Sequence, residues 1–127
     1  MKRIVLTICN SLMAFSITHS LKRAGGFQVT SVHPGNGDVA KECAAVSADV
    51  LLMEAAYDTG ATLDDCLREA KKLRAICPAC RMILLCDENS APEMARRVAQ
   101  AKKDGLIDDF VYSSVSESYL TAMLYAI

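Results

Sequence analysis

The 127-residue sequence contains no tryptophan, three prolines and only two histidines. Its charges nearly cancel: 14 basic and 15 acidic residues give a formal net charge of -1. This balance excludes the strong positive field of a protein that binds nucleic acid or an anionic membrane. No apolar run is long enough for a membrane span or a signal-peptide core. We therefore expect one cytoplasmic domain over residues 1–127, which contacts neither nucleic acid nor membrane directly.

Hydrophobic residues, by contrast, make up 52% of the sequence. A chain of this length buries roughly two thirds of its unfolded surface, which is enough for one core. Such a core needs no disulfides, so we interpret the six cysteines as reduced and mostly buried thiols. Cys77 and Cys80 have the C-x-x-C spacing of redox and zinc sites, but zinc needs four ligands and no second pair of this spacing exists. A structural role is favoured for this pair, and neither a metal nor a cofactor is predicted.

Short apolar runs predict the strands of a sheet. Residues 3–8 (RIVLTI), 48–53 (ADVLLM) and 81–86 (RMILLC) are nearly continuous, as strands covered on both faces require. Residues 27–32 alternate more and predict a strand nearer an edge, and residues 106–112 predict a fifth strand.

Helices are predicted between these strands from capping residues, glycines and prolines. Their start and stop signals are, in chain order, Asn10 with Gly25, Asp38 with Val46, Thr62 with Pro78, Pro92 with Gly105, and Ser114 or Ser116 before the last helix. A turn cluster at residues 33–37 precedes the second helix.

Strands that alternate with helices form right-handed crossovers, and hence a parallel sheet with helices on both faces. The predicted fold is therefore α/β, a doubly wound five-stranded parallel sheet. Function in such sheets collects at the carboxyl ends of the strands. The positions that this rule selects are Ile8, Cys9, Glu54, Cys86, Asp87 and Ser113.

Two segments at these strand ends resemble the receiver domain of bacterial two-component response regulators. Residues 48–54 (ADVLLME) are similar to the family's strand three, roughly P-D-L-V-L-L-D, which ends in the phosphorylated aspartate. Residues 109–116 (DFVYSSVS) are similar to the segment G-Y-L-L-K-S-V-S of regulators with a helix-turn-helix output domain. The resemblance extends over essentially the whole chain and implies the flavodoxin-like strand order 2-1-3-4-5.

The resemblance also implies a set of phosphorylation residues, and this chain departs from each of them. The two acids after strand one correspond to Ile8 and Cys9, and the phosphorylated aspartate to Glu54. The hydroxyl residue after strand four corresponds to Cys86, and the lysine after strand five to Ser113. Because Mg²⁺ prefers oxygen ligands, one carboxylate beside a thiol and an aliphatic side chain is a poor site for it. We therefore expect neither a metal nor phosphorylation at Glu54.

Two interpretations of Glu54 are open: permanent imitation of a phosphorylated aspartate, and a solvated carboxylate at a loop edge. Phe110 lies where the family has a switching aromatic residue, although ordinary packing explains it equally well. Further acids near the predicted site, for which turn and cap chemistry is favoured, are Asp58, Asp87, Asp108 and Asp109.

The predicted function is that of a degenerate receiver, not an enzyme, which acts in signal transduction and transcription control without phosphorylation. Its partner would be another protein, an output domain or a second copy of the chain. A homodimer would pair through helix four, strand five and helix five, where methionine and tyrosine are types enriched at interfaces. The candidate interface residues, which otherwise merely cover the sheet, are Met94, Val98, Tyr112, Tyr119 and Met123.

An alternative is a phosphocysteine carrier or phosphatase-like enzyme that uses Cys9. A cysteine after the first strand and before a helix N-terminus resembles the start of sugar-phosphotransferase carriers and small tyrosine phosphatases, and such a terminus favours a phosphoryl group. Residues 10–14 (NSLMA) contain no glycine to let backbone N–H groups approach a phosphate, and no arginine follows within phosphatase spacing. The sequence also has neither the phosphate loop nor the D-x-H-x-x-G motif of flavodoxin-type and cobalamin-type binders.

Overall fold

A computed structural model describes residues 1–34, 38–55, 62–87 and 92–127. Strands and helices alternate along the chain in the order β1 (Lys2–Thr7), α1 (Ser11–Ala24), β2 (Phe27–Ser31), α2 (Val39–Val46), β3 (Val50–Glu54), α3 (Leu63–Ile76), β4 (Arg81–Cys86), α4 (Pro92–Lys103), β5 (Asp109–Tyr112) and α5 (Glu117–Ala126). All neighbouring strands are parallel, in the order β2-β1-β3-β4-β5. The predicted fold class and strand order are confirmed.

Two hydrophobic cores lie on opposite faces of the sheet, because successive side chains of a strand point to opposite sides. Residues of α2, α3 and α4 pack on one face, here called the α2–α4 core, with strand residues Val5, Leu51 and Leu84. Residues of α1 and α5 pack on the other face, the α1/α5 core, with strand residues Ile4, Leu52 and Leu85. The apolar runs of β3 and β4 are buried on both faces, as predicted.

Strand β5 begins three residues later than the sequence predicts. Leu106 N–H donates to the carbonyl of Ala101 at 3.0 Å, so this residue is still part of the turn that follows α4. Asp108 then joins the amino end of β4, because its N–H donates to the Met82 carbonyl and its carboxylate accepts the Met82 N–H. The other strand bounds differ from the prediction by two residues at most.

The helix starts follow the predicted capping chemistry where the structure describes them. The Asn10 side chain accepts the N–H of Met13 at 3.1 Å, and Thr62 and Asp65 form a capping box. Ser116, and not Ser114, is the N-cap of α5. Residues 35–37 of the predicted turn and the residues directly before Pro92 lie outside the described part of the chain.

Helix α5 is fixed at the amino end of the sheet. It has no basic residue in its last turn, and Lys2 of β1 supplies the missing cation by donating to the carbonyl groups of Leu124 at 2.8 Å and Tyr125 at 2.9 Å. The Tyr125 hydroxyl donates to the Gly25 carbonyl, and its ring lies 4.3 Å from that of Phe27. At this end α5 is therefore tied to β1, β2 and the end of α1.

Candidate functional site

The predicted site residues gather at one edge of the sheet, because the carboxyl ends of parallel strands meet there. Glu54 ends β3 and pairs with Leu85 of the neighbouring strand, one residue before Cys86. The sheet mouth, as we call this edge, consists of Ile8, Cys9, Glu54, Cys86 and Ser113. Their side chains come from the ends of β1, β3, β4 and β5.

Glu54 connects two strand ends at the sheet mouth. One of its carboxylate oxygens, Oε1, accepts the backbone N–H of Cys9 at 2.8 Å. A hydrogen bond to a carboxylate is stronger than one between neutral groups, and this one is partly buried. Glu54 is therefore a half-buried side chain that holds the residue after β1, and not a freely solvated carboxylate.

Cys66 also contacts Glu54, and the sequence did not identify it as a site residue. Its thiol donates to the Glu54 carbonyl oxygen at 3.6 Å from the first turns of α3. Burial, together with the charges of Cys9, Glu69 and Glu54, raises the pKa of Cys66 to about 12. The thiol is thus neutral at physiological pH. Its position on the apolar face of α3 gave no signal that separates it from an ordinary core cysteine.

The remaining mouth residues are apolar or weakly polar. Ile8 and Cys86 are buried, with exposed fractions of 4% and 1%. Ser113 is half-buried, and its N–H donates to the Cys86 carbonyl at 2.8 Å, which joins the ends of β5 and β4. Asp87 is exposed, and Asp58 lies outside the described residues.

This set of donors does not fit the magnesium ion that the receiver resemblance implies. Mg²⁺ requires oxygen ligands in near-octahedral geometry, whereas Glu54 is flanked by the aliphatic Ile8 and the thiol-bearing Cys9, and one of its carboxylate oxygens is already hydrogen-bonded to the backbone. Over the described ranges, no three His, Cys, Asp or Glu side chains are grouped so that they could hold a metal ion.

Asp108 and Asp109 do not belong to the sheet mouth. The Asp108 carboxylate accepts the Met82 N–H at 2.8 Å at the amino end of β4, and Arg81 lies 3.4 Å from it. Asp109 forms an ion pair with Lys102 at 2.9 Å. Asp108 thus caps the amino end of a strand and Asp109 forms an ion pair, whereas the sequence interpretation favoured turn and helix-cap roles.

Two of the five candidate interface residues lie inside the protein. Met94 is 6% exposed and Val98 is fully buried, because both face the α2–α4 core from α4. The prediction that they lie on a surface is wrong. Their spacing of four residues places both on one face of α4, and that face covers the sheet.

The other interface candidates are closer to solvent. Tyr112 is 37% exposed and Tyr119 is 59% exposed, whereas Met123 packs partly against the α1/α5 core. Phe110 packs against the α2–α4 core, with its ring 5.5 Å from that of Tyr112 and 5.7 Å from the Lys102 ammonium group. Tyr112 on β5 and Tyr119 on α5 are thus each exposed.

The C-x-x-C pair lies at the amino end of the sheet, away from the mouth. Burial raises the pKa of Cys77 above its usual value. A hydrogen bond with the Cys43 thiol, together with burial, raises the pKa of Cys80 strongly. Reactive cysteines need a stabilised thiolate, so these neutral thiols favour the structural interpretation.

The environment of Cys9 disfavours the phosphocysteine alternative. Its backbone N–H, which would otherwise face a phosphoryl group, is hydrogen-bonded to the Glu54 carboxylate. A negative charge at this distance would repel a phosphoryl group on the Cys9 thiol.

No helix of the described residues has both the length and the apolar character that crossing a membrane requires. Comparison of the sequence with protein-family models and with curated proteins gives no match.

Comparison with solved structures gives many matches, and response regulators are prominent among them. A receiver domain protein from Clostridium thermocellum is 17% identical, with a TM-score of 0.74 over 99% of this chain and 93% of that one. A DNA-binding response regulator of the LuxR family from Staphylococcus aureus is 15% identical, with a TM-score of 0.72 over 99% and 98%. RcsB from Salmonella enterica serovar Typhimurium, bound to a promoter, is 16% identical, with a TM-score of 0.71 over 98% of this chain and 67% of that one. These likenesses show that the chain has the α/β fold of response-regulator receiver domains.

Proposed function

We propose that this chain is a signalling domain of the receiver type that works through contacts with other proteins and without phosphorylation. The observation that carries the proposal is the hydrogen bond between the Glu54 carboxylate and the Cys9 N–H. At the position where the resemblance implies a phosphoryl acceptor, the carboxylate is instead a structural acceptor for the backbone.

The rest of the sheet mouth supports this proposal. Ile8 and Cys86 are buried among apolar side chains, and Ser113 has no charge with which to neutralise a phosphoryl group. Phosphoryl transfer depends on positioning and on charge neutralisation, and neither is provided by these side chains.

Permanent negative charge is the second part of the proposal. At position 54 the receiver resemblance implies an aspartate that gains negative charge on phosphorylation. Here the Glu54 carboxylate accepts the N–H of Cys9, between β1 and α1, without any added group. We therefore propose that the mouth stays in one state and that regulation comes from the availability of a protein partner.

The proposed contact surface contains Tyr112 of β5 and Tyr119 of α5. β5 is an edge strand of the sheet, and exposed tyrosines are among the residues enriched at protein interfaces. Because the response regulators named above include DNA-binding proteins, a second copy of the chain or an output domain for transcription control is the proposed partner.

Light scattering coupled to size-exclusion chromatography tests the proposal. We expect a monomer–dimer equilibrium that does not change when a small-molecule phosphodonor and Mg²⁺ are added. Tyr112→Ala and Tyr119→Ala should shift it toward the monomer, whereas His19→Ala, on the exposed face of α1, should not.

A strict monomer at high protein concentration would contradict the homodimer. A dimer that forms only with phosphodonor and Mg²⁺ would contradict independence from phosphorylation.

A further inference from the structure

A cavity of about 290 Å³ opens between α1 and α5 beside the sheet mouth. Its floor is formed by three buried residues, Ile17 of α1, Leu85 of β4 and Leu120 of α5. Ligand sites are typically concave, mostly apolar and about 300–1,000 Å³ in volume. The volume of this cavity lies just below that range, so it suits a molecule of single-ring size.

The cavity lies between the mouth ends of α1 and α5. At the amino end of the sheet, Tyr125 connects α5 to the end of α1. Toward the mouth this contact is lost, and Leu12 of α1 is left 77% exposed at the rim of the cavity. This large apolar side chain therefore lies open to solvent beside the cavity.

Short side chains at the mouth leave this volume unfilled. Ser113 and Ser116 line the cavity from the β5–α5 connection, and Ser16 lines it from α1. At Ser113 the receiver resemblance implies a lysine, whose long side chain would occupy part of this space. Ser113 is one of the departures from the receiver pattern, and its short side chain lines the cavity.

The lining also defines the charge of a suitable ligand. Among the residues that line the cavity, Glu117 is charged and none is basic. A phosphate or carboxylate would thus enter an apolar site without a counter-charge, which is costly. An uncharged or cationic group could instead contact Asn10, Ser113, Ser116 or Glu117, while apolar atoms cover the floor.

We propose that this cavity binds a small, mainly apolar molecule of single-ring size whose polar group is uncharged or cationic. The inference goes beyond the proposed function, because it rests on the cavity and not on the absence of phosphorylation.

The test uses three probes that share one ring and differ in the charge of the polar group: benzyl alcohol, benzylamine and benzoate. Each is titrated into the ¹⁵N-labelled full chain while amide chemical shifts are recorded. We expect benzyl alcohol and benzylamine to shift the amides of Ser113, Val115 and Leu120 with saturation, and benzoate to bind at least about tenfold more weakly.

Cavity-filling variants provide the control. Ser113→Met should weaken binding of benzyl alcohol at least about tenfold. Ser16→Met should weaken binding of benzyl alcohol to a similar extent. Because Ser16 is exposed on α1, this substitution carries little risk to folding. Ser118→Met is the matched control, because Ser118 is exposed on α5 and does not line the cavity.

Several results would overturn the proposal. One is the absence of saturable shifts at the lining residues with either benzyl alcohol or benzylamine. Others are shifts that both filling variants leave unchanged, or equal binding of benzoate. A further contrary result is that the amide shifts of the lining residues change with protein concentration and not with added probe. This result would show an interface between copies of the chain. None of these outcomes bears on phosphorylation, so the proposed function is tested separately.

Discussion

Carboxylates accept backbone N–H groups at both ends of the sheet, in each case at 2.8 Å. The pairs are Asp49 with Arg3 and Asp108 with Met82 at the amino end, and Glu54 with Cys9 at the mouth. At the amino end, main-chain hydrogen bonds join the same residues, for example from Asp49 N–H to the Arg3 carbonyl. These carboxylates extend an existing ladder, so their role is structural.

At the mouth, the same kind of hydrogen bond lies at the carboxyl ends of the strands. Glu54 lies where strand ends converge and where the fold usually concentrates function. Its neighbours Cys9 and Cys66 offer thiols and not the oxygen atoms that would bind a cation. The comparison teaches that the surroundings of a carboxylate decide its chemistry: without oxygen partners, Glu54 resembles Asp49 and Asp108 in its role.

Replacing Asp108 with alanine should produce the largest loss of stability, because it removes the carboxylate that accepts the N–H of the buried residue Met82. Met82 is 2% exposed, and its N–H would lose a charged acceptor, which costs about 2 kcal/mol of unfolding free energy. Urea unfolding measures this loss.

Asp104→Ala is the control for this substitution, because Asp104 is an exposed carboxylate that accepts from Gln100 at 3.0 Å. We expect a change of at most about 0.5 kcal/mol there. Equal effects of the two substitutions would refute the structural role of Asp108.

Replacing Glu54 with alanine tests whether the mouth carboxylate has the same role. We expect a loss of about 1–2 kcal/mol of unfolding free energy, because Cys9 N–H loses its acceptor in a partly buried place. Glu54→Gln keeps an acceptor oxygen and should cost less than about 1 kcal/mol.

Glu93→Ala serves as the control here, since Glu93 is 69% exposed and pairs with Arg96 on the helix surface. If Glu54→Ala is no more destabilising than Glu93→Ala, then the hydrogen bond to Cys9 contributes nothing and the comparison between the two ends fails.

The smallest expected effect is a loss of unfolding free energy at high pH, caused by the titration of Cys66. No such loss is expected at neutral pH. The pKa of Cys66 is about 12 in the folded protein against an ordinary value of 9.0, so the folded state retains a proton that the unfolded state loses. This contribution to stability is complete below about pH 9 and falls as the pH rises toward about 12.

The rate of iodoacetamide labelling at Cys66 reports both the burial and the protonation of its thiol. At pH 8 we expect the native thiol to react at least about tenfold more slowly than the thiol of urea-unfolded protein. Equal rates would mean that Cys66 is not a buried neutral thiol beside Glu54.

Much of the fold could be predicted from the sequence, because each element carried its own local signal. The apolar run at residues 81–86 matches β4 without error, and the pattern of Thr62 and Asp65 is the capping box of α3. The order of the strands needed the receiver resemblance, since no local pattern specifies which strands are neighbours.

The site could be predicted in position but not in contacts. That Glu54 lies at the mouth follows from its place at the end of a strand. Its hydrogen bond to Cys9 spans 45 residues of chain and depends on the register of β1 and β3, which local periodicity does not specify.

Burial at helix surfaces was the weakest part of the prediction. Met94 and Val98 are predicted on a surface but lie in the core, whereas the apolar Leu12 and Phe15 of α1 are 77% and 71% exposed. Helical spacing shows which residues share a face. It does not show which face meets the sheet when both faces carry apolar residues, as in α1.

Intact-mass measurement after incubation with a small-molecule phosphodonor and Mg²⁺ tests the central claim most directly, because the claim is that the sheet mouth cannot accept a phosphoryl group. The account predicts an unchanged mass for the native protein. A Mg²⁺-dependent increase by one phosphoryl group, lost in Glu54→Gln, would contradict it.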